Sequence, residues 1–131
     1  MIVAMSDRSR KLLLVEDDPA VATVYRLGLE KDGYRVLVAP DGEAGVERAR
    51  TESPYLVLLD IALPKLDGFQ VLERLRSDPA TSGIPVAIVS NSMLVADPRI
   101  DRARTLGILD WLVKSTVAPG DLSRRVSEWL G

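Results

Sequence analysis

Acidic residues cluster directly after the first apolar run of the sequence. Glu16, Asp17 and Asp18 follow the run 11–15, and Asp60 closes a similar run at 55–60. Neighbouring carboxylates repel one another, most strongly where water is scarce. A cation removes that repulsion, and carboxylate oxygens with retained waters are the ligands that Mg²⁺ takes in proteins. The acids therefore predict a divalent metal site.

A hydroxyl and a lysine stand at the ends of two further apolar runs, Ser90 at the end of 85–90 and Lys114 at the end of 109–114. Metal, lysine and hydroxyl around one aspartate make a site for phosphoryl transfer, where positioning and charge neutralisation do most of the catalysis. Each residue alone also has a structural explanation, such as Asp18 as a helix N-cap. Their convergence on one edge favours the functional interpretation.

Five short runs rich in Val, Ile and Leu must position these residues, and they predict strands buried on both faces. They are 11–15, 34–39, 55–60, 85–90 and 109–114. Helical patterns alternate with them and begin at Asp18-Pro19, near Asp41, after Gly68, at Asp97-Pro98 and near Pro119. This alternation with short connections predicts an α/β fold, a doubly wound parallel sheet with helices on both faces. Ligands of such sheets bind beyond the carboxyl ends of the strands.

The composition fits one soluble globular domain, with 131 residues, 47% of them hydrophobic, and a net charge of -2. No basic tract suggests nucleic-acid binding, and no apolar run approaches the roughly 20 residues of a membrane span. The sequence has no histidine and no cysteine, so any metal must be held by oxygen ligands. We expect residues 1–10 to form a flexible tail, residues 11–131 a single domain, and the protein to be cytoplasmic.

The sequence resembles the receiver domain of two-component response regulators over residues 10–131. The matching stretches are LLLVEDD, LVLLDIALPKLDGF, AIVSNS and WLVKS. The resemblance implies a five-stranded, flavodoxin-like three-layer sandwich with strand order 2-1-3-4-5 and five helices, an order that periodicity cannot supply. It also implies Mg²⁺ or Mn²⁺ as the cofactor and a signalling module that is not an enzyme.

The resemblance assigns roles around the acids. It implies Asp60 as the phosphoacceptor. The metal would be held by Asp17, by Asp60, by Glu16 through water, and by the backbone carbonyl of Ala62. The second position after the acceptor also bears on an alternative from another class, an aspartate-nucleophile phosphatase of the haloacid dehalogenase type. That class needs a second aspartate there as general acid, and Ala62 argues against it.

Further roles concern the activated state. The resemblance implies that Ser90 binds a phosphoryl oxygen, that Lys114 pairs with Asp60 or its phosphate, and that Trp111 occupies the aromatic switch position, usually Tyr or Phe. Ser115 departs from the family, which usually has proline after the lysine in a cis bond. A cis bond before a non-proline residue costs about 3–4 kcal/mol. We therefore predict a trans Lys114–Ser115 bond, with Lys114 still reaching Asp60.

Because the chain has no histidine, a phosphohistidine donor must be another protein. The resemblance implies a sensor histidine kinase or a histidine phosphotransfer protein, and a downstream partner on the face of the fourth helix, fifth strand and fifth helix. It leaves a homodimer open, while the charge and apolar patterns predict no direct nucleic-acid or membrane binding. Since the sequence ends one helix after the last strand, we expect a receiver without an output domain, either a complete protein or a fragment of a larger regulator.

Two further alternatives use the same fold. A flavin or nucleotide binder would need a phosphate-binding loop after the first strand, but the acids Glu16, Asp17 and Asp18 stand there and would repel the ligand. A receiver-like scaffold that works without phosphorylation is the other alternative. The complete set of acids, serine and lysine favours a phosphorylated receiver over it.

Overall fold

The computed structural model describes residues 10–91 and 98–130. Five parallel strands form one sheet in the order β2-β1-β3-β4-β5. The strands are β1 (Lys11–Val15), β2 (Arg35–Ala39), β3 (Leu56–Leu59), β4 (Val86–Ser90) and β5 (Trp111–Val113). The helices are α1 (Pro19–Lys31), α2 (Gly42–Glu52), α3 (Gly68–Ser77), α4 (Arg99–Leu106) and α5 (Pro119–Leu130). The doubly wound fold and its strand order are confirmed.

Alternate residues of each strand face opposite sides of the sheet, which creates two cores. One core packs Leu13, Val57 and Ile88 against the helices α2, α3 and α4. The other packs Leu12 and Leu58 against α1 and α5. The sheet is therefore covered on both sides, and its polar carboxyl edge is where the strand ends meet. In the part of the chain that the structure describes, no helix combines the length and apolarity needed to cross a membrane.

Local signals explain most helix boundaries. The Asp18 side chain accepts hydrogen bonds from the backbone of Ala20 and Val21 and caps α1, whose first residue is Pro19. A proline is favourable at that position because its missing N–H would have no partner within the helix. The Asp41 side chain caps α2 in the same way through the backbone N–H of Ala44.

The predicted buried stripes of two helices need correction. On α1, helical spacing predicts a buried stripe of Val21, Val24, Tyr25 and Gly28, yet Val24 is 50% exposed. The buried residues are Ala22, Tyr25 and Leu29. On α4, the same spacing predicts a buried stripe of Ile100, Ala103 and Gly107. Ala103 is buried, but Gly107 lies beyond the helix and is exposed.

The predicted element boundaries shift by a few residues at most. The helical pattern that begins at Asp18-Pro19 predicts an end near Gly33, and the helix ends at Lys31. The fifth strand is shorter than the predicted run 109–114, because Lys114 already begins a 3-10 turn (Lys114–Thr116). The predicted tail, apart from its last residue, and the predicted helix start at Asp97 lie outside the described residues.

The peptide bond after Lys114 matches its prediction. Among the described residues the structure contains no cis peptide bond, so the Lys114–Ser115 bond is trans. The 3-10 turn that follows is closed by hydrogen bonds from the Thr116 hydroxyl to the carbonyl of Val113 and from the Val117 N–H to the carbonyl of Lys114.

Candidate functional site

Strand register brings the predicted acids together. Val15 pairs with Leu59, and the backbone N–H of Asp60 donates to the carbonyl of Val15 at 3.1 Å. Glu16 and Asp60 therefore follow adjacent strand ends. Each of Glu16, Asp17 and Asp60 offers a carboxylate oxygen within 4.8 Å of the other two. Glu16 and Asp60 are almost fully buried, whereas Asp17 is exposed.

The third acid of the run serves the helix. The Asp18 carboxylate caps α1 by accepting hydrogen bonds from backbone N–H groups of the first turn, which confirms the predicted N-cap. Its backbone N–H donates to Glu16 Oε2 at 3.1 Å. The turn between β1 and α1 therefore fixes the Glu16 side chain within the acid cluster.

Lys114 joins the two buried acids. Its Nζ donates to Asp60 Oδ2 at 2.8 Å and forms a salt bridge with Glu16. Burial alone would lower the pKa of Lys114, but the hydrogen bonds to the two carboxylates outweigh it and raise that pKa. Burial raises the pKa of Glu16, and the hydrogen bonds from Lys114 and from the Asp18 N–H oppose that increase. The ammonium of Lys114 therefore compensates the negative charge of the two buried carboxylates, which would otherwise repel each other.

The acids open into a cavity of about 310 Å³. Its lining consists of Glu16, Asp17, Asp18, Val21, Asp60, Ala62, Ser90, Asn91 and Lys114. Ser90 is fully buried at the end of β4, and the backbone N–H of Ala62 donates to Asp60 Oδ1 at 3.3 Å. All the residues predicted as phosphoacceptor, metal ligands or phosphoryl contacts therefore meet in one place.

Two residues of the lining, Val21 and Asn91, have no predicted role in the site. Asn91 directly follows Ser90, so its position after a strand end was an available signal. Trp111 is not among the lining residues; it is half-buried and packs on Phe69 with ring centroids 6.0 Å apart. Its role as a switch residue stays a prediction.

The donor set fits a divalent metal. Three carboxylates converge, and oxygen ligands with space for water suit Mg²⁺. Lys114 lies among the same acids, so a bound cation and the ammonium would share the neutralisation of one cluster. The cluster lies beyond the carboxyl ends of β1 and β3, where ligands of this sheet type bind.

Comparison with known families identifies the family to which this fold and site belong. A family model described as the response regulator receiver domain matches residues 12–127. This chain belongs to that family. Receiver domains are signalling domains, so the assignment replaces the phosphatase and flavin-binder alternatives.

Relatives in sequence are response regulators. The chain is 40% identical over 106 residues to protein PilH of Pseudomonas aeruginosa, a match that covers 79% of this chain and 84% of PilH. It is 33% identical over 120 residues to the alkaline phosphatase synthesis transcriptional regulatory protein PhoP of Bacillus subtilis. That match covers 90% of this chain and 47% of PhoP, so the chain spans about half the length of this relative.

Solved receiver structures share the fold. A CheY-like response regulator receiver domain protein from Methanospirillum hungatei matches with a TM-score of 0.82 and 27% identity, over 93% of this chain and 94% of that one. The receiver domain of the sensor histidine kinase PA1611 from Pseudomonas aeruginosa matches with a TM-score of 0.82 and 29% identity, over 94% of this chain and 98% of that one. In that structure a magnesium ion is coordinated in the active site cleft.

Proposed function

We propose that this receiver domain accepts a phosphoryl group on Asp60 from the phosphohistidine of a sensor kinase or a phosphotransfer protein. The observation that carries the proposal is the setting of the Asp60 carboxylate. The Asp60 side chain is 6% exposed and faces the site cavity, with one oxygen held by Lys114 and the other near the Ala62 N–H. A nucleophile in such a setting is oriented before the donor arrives.

In the proposed transfer, an oxygen of Asp60 attacks phosphorus and forms the new O–P bond while the P–N bond to the donor imidazole breaks. The imidazole nitrogen keeps the electron pair and takes a proton from water. Lys114 and Ser90 line the same cavity as Asp60, and in this proposal the lysine ammonium and the serine hydroxyl donate to phosphoryl oxygens. The donors that bind the free Asp60 carboxylate, Lys114 and the Ala62 N–H, are then available to the acylphosphate.

We propose that Mg²⁺ is held by Asp17, by Asp60, by Glu16 through water and by the backbone carbonyl of Ala62. When bound, the ion neutralises negative charge so that carboxylate and phosphate can approach. Support for this assignment comes from the convergence of the three acids and from the magnesium ion in the PA1611 receiver. Mn²⁺ has similar oxygen preferences and would be accepted as well.

Intact-mass measurement tests the acceptor. The protein is incubated with Mg²⁺ and acetyl phosphate, and we expect one phosphoryl group on the wild type and none on Asp60→Asn. Asp67→Asn is the matched control, because Asp67 caps α3 and asparagine is an equally good cap. Phosphorylation that survives in Asp60→Asn contradicts the proposal. A folded, Mg²⁺-binding wild type that takes no phosphate supports the scaffold alternative.

Calorimetric titration tests the metal site with a pair of neighbouring acids. Asp17→Asn removes charge from the acid cluster, so we expect Mg²⁺ affinity to fall by about tenfold or more. Asp18→Asn retains the cap of α1 and removes a carboxylate that binds the helix, so its effect should be smaller. Equal affinities in Asp17→Asn and the wild type argue against Asp17 as a ligand.

For output, we propose a protein partner on the face formed by α4, β5 and α5. α4 contributes Arg104, which is exposed, and Arg102, which pairs with Glu73 of α3. Leu109, next to β5, is 44% exposed and adds apolar surface. Charged and apolar groups together suit a specific contact whose affinity changes when α4 or β5 shifts.

A further inference from the structure

The loop between β3 and α3, residues 61–67, rests on the first turn of α2. A Cβ atom placed on Gly42 would lie 2.1 Å from the carbonyl oxygen of Leu66 and 2.7 Å from its Cβ. Neither distance is sterically allowed, and the oxygen belongs to the backbone, which cannot rotate away. Glycine at position 42 is therefore what lets the loop approach α2 so closely.

An ion pair also holds the loop 61–67 against the start of α2. Asp41 accepts from the backbone of Ala44 at 2.8 Å through one oxygen, and its other oxygen is 3.5 Å from Nζ of Lys65. The hydrogen bond from Ala44, with the nearby Lys65, keeps the pKa of Asp41 below its ordinary value. Lys65 has a φ of 68°, a left-handed conformation that is unfavourable for any residue with a Cβ. The surrounding contacts must therefore hold this residue in place.

The other side of the loop meets the phosphoacceptor. The Ala62 N–H donates to the Asp60 carboxylate, and the N–H groups of Leu63 and Gly68 both donate to the carbonyl of Ile61, at 3.0 and 2.9 Å. At Gly68 an added Cβ would lie 2.3 Å from the carbonyl oxygen of Asp60. The loop is thus short and closed by its own hydrogen bonds. We therefore expect a displacement of Leu66 against α2 to be passed along the loop to Ala62.

From these contacts we infer that Asp41 and Gly42 are positioning residues for phosphoryl transfer. They hold the loop 61–67 from the side of α2 and thereby place the backbone of Ala62 beside Asp60, where its carbonyl would bind Mg²⁺. Neither residue touches the reacting atoms. The inference rests on the proposed function, because it concerns the affinity of the same site for Mg²⁺.

The decisive variant is Gly42→Ala, with Gly83→Ala as its matched control. An added Cβ at Gly83 meets no atom within 4 Å, so the control adds the same methyl group without a collision. We expect calorimetry to show Mg²⁺ binding to Gly42→Ala weakened by about tenfold, the lower end for groups that orient a ligand. Phosphorylation by acetyl phosphate should slow at limiting Mg²⁺ and recover at saturating Mg²⁺. Because Mg²⁺ would also refold a partly unfolded variant, the comparison uses protein that circular dichroism shows to be fully folded without Mg²⁺.

Two milder variants keep the test decisive if Gly42→Ala does not fold. Asp41→Asn preserves the cap of α2 and removes the charge opposite Lys65, and Lys65→Met removes the other partner. Lys65→Arg, which keeps the charge, should restore wild-type binding. Weaker Mg²⁺ binding in any folded variant of the three, with Gly83→Ala unchanged, supports the inference. If all of them bind Mg²⁺ like the wild type, the inference is wrong, whereas a wild type without Mg²⁺ binding refutes the proposed function itself.

Discussion

Replacing Lys114 by methionine should destabilise the fold through the two acids it leaves behind. Its ammonium pairs with Glu16 and Asp60, whose side chains are 2% and 6% exposed. Methionine retains much of the apolar stem but supplies no charge. The variant therefore isolates the electrostatic contribution of Lys114 from its packing.

The size of the effect follows from burial. Removing one partner of a buried ion pair costs about 3–5 kcal/mol, because a buried charge remains uncompensated. Here the acids line a cavity of about 310 Å³ that is wide enough for water. Water lowers the cost, so we expect the free energy of unfolding at neutral pH without Mg²⁺ to fall by about 3 kcal/mol, the lower end of that range.

The loss should depend on pH in a defined direction. Burial raises the folded-state pKa of Glu16, so the folded protein binds that proton more tightly than the unfolded chain. Stability contributed in this way is present below the unfolded pKa and is lost as pH rises through the folded pKa. Without the ammonium of Lys114 the folded pKa of Glu16 rises further. The difference between wild type and variant should therefore shrink towards acidic pH and widen towards neutrality.

The raised pKa of Lys114 determines how the free energy of unfolding of the wild type changes at alkaline pH. A lysine whose folded pKa is raised stabilises the fold fully below its unfolded value, about 10.4. That stabilisation is lost only as pH rises through the folded pKa. Its full contribution is therefore present at neutral pH, where the comparison is made.

Urea unfolding at acidic and neutral pH, with and without Mg²⁺, measures these effects. A ligand that binds only the folded state stabilises it by about 2.7 kcal/mol at a hundredfold excess over its dissociation constant. Mg²⁺ should stabilise Lys114→Met more than the wild type, because no ammonium competes for the acids. Lys31→Met, on an exposed lysine of α1, should change stability by less than about 0.5 kcal/mol. An equal loss at both pH values and an unchanged response to Mg²⁺ would refute the electrostatic account.

Three further predictions concern other parts of the fold. Arg76→Met should lower the free energy of unfolding by at least about 2 kcal/mol in urea, because its guanidinium donates to four backbone carbonyls, whereas the exposed Arg74→Met should have little effect. Reversing the charge of Arg102 and Arg104 should weaken partner binding in titrations but lower stability by less than about 1 kcal/mol; unchanged affinity counts against this face. In a Trp129→Phe background, phosphorylation should shift the fluorescence of Trp111, and Ser90→Ala should abolish that shift; an equal shift in both argues against the switch.

Much of the fold was predictable because its signals are local. The cap of α1 needs only an aspartate followed by a proline, and the strands need only short apolar runs with polar ends. The convergence of Glu16, Asp60 and Lys114 then followed from the rule that parallel strands present their carboxyl ends together. Strand order is not a local property, and it came from the family resemblance rather than from periodicity.

What could not be predicted depends on distances between elements remote in sequence. The close contact at Gly42 requires the loop 61–67, which follows β3, to lie against α2. No pattern in the sequence around Gly42 encodes that contact. On α1, several apolar positions allow more than one buried stripe, and the sheet selects the one with Tyr25 and Leu29. The position of the helix against the sheet therefore decides that Val24 stays exposed.

Lys114 shows why the site tolerates a change in its surrounding loop. Serine follows it, the bond is trans, and the turn is closed by the Thr116 hydroxyl and the Val117 N–H, yet Nζ still lies 2.8 Å from Asp60. A four-carbon stem can compensate for a modest shift of its backbone, since several rotamers reach the same point. Glu16 and Asp60 have short stems that begin at strand ends, so the sheet must fix them. The register between β1 and β3 therefore sets the precision of the acid cluster, and the lysine adjusts to it.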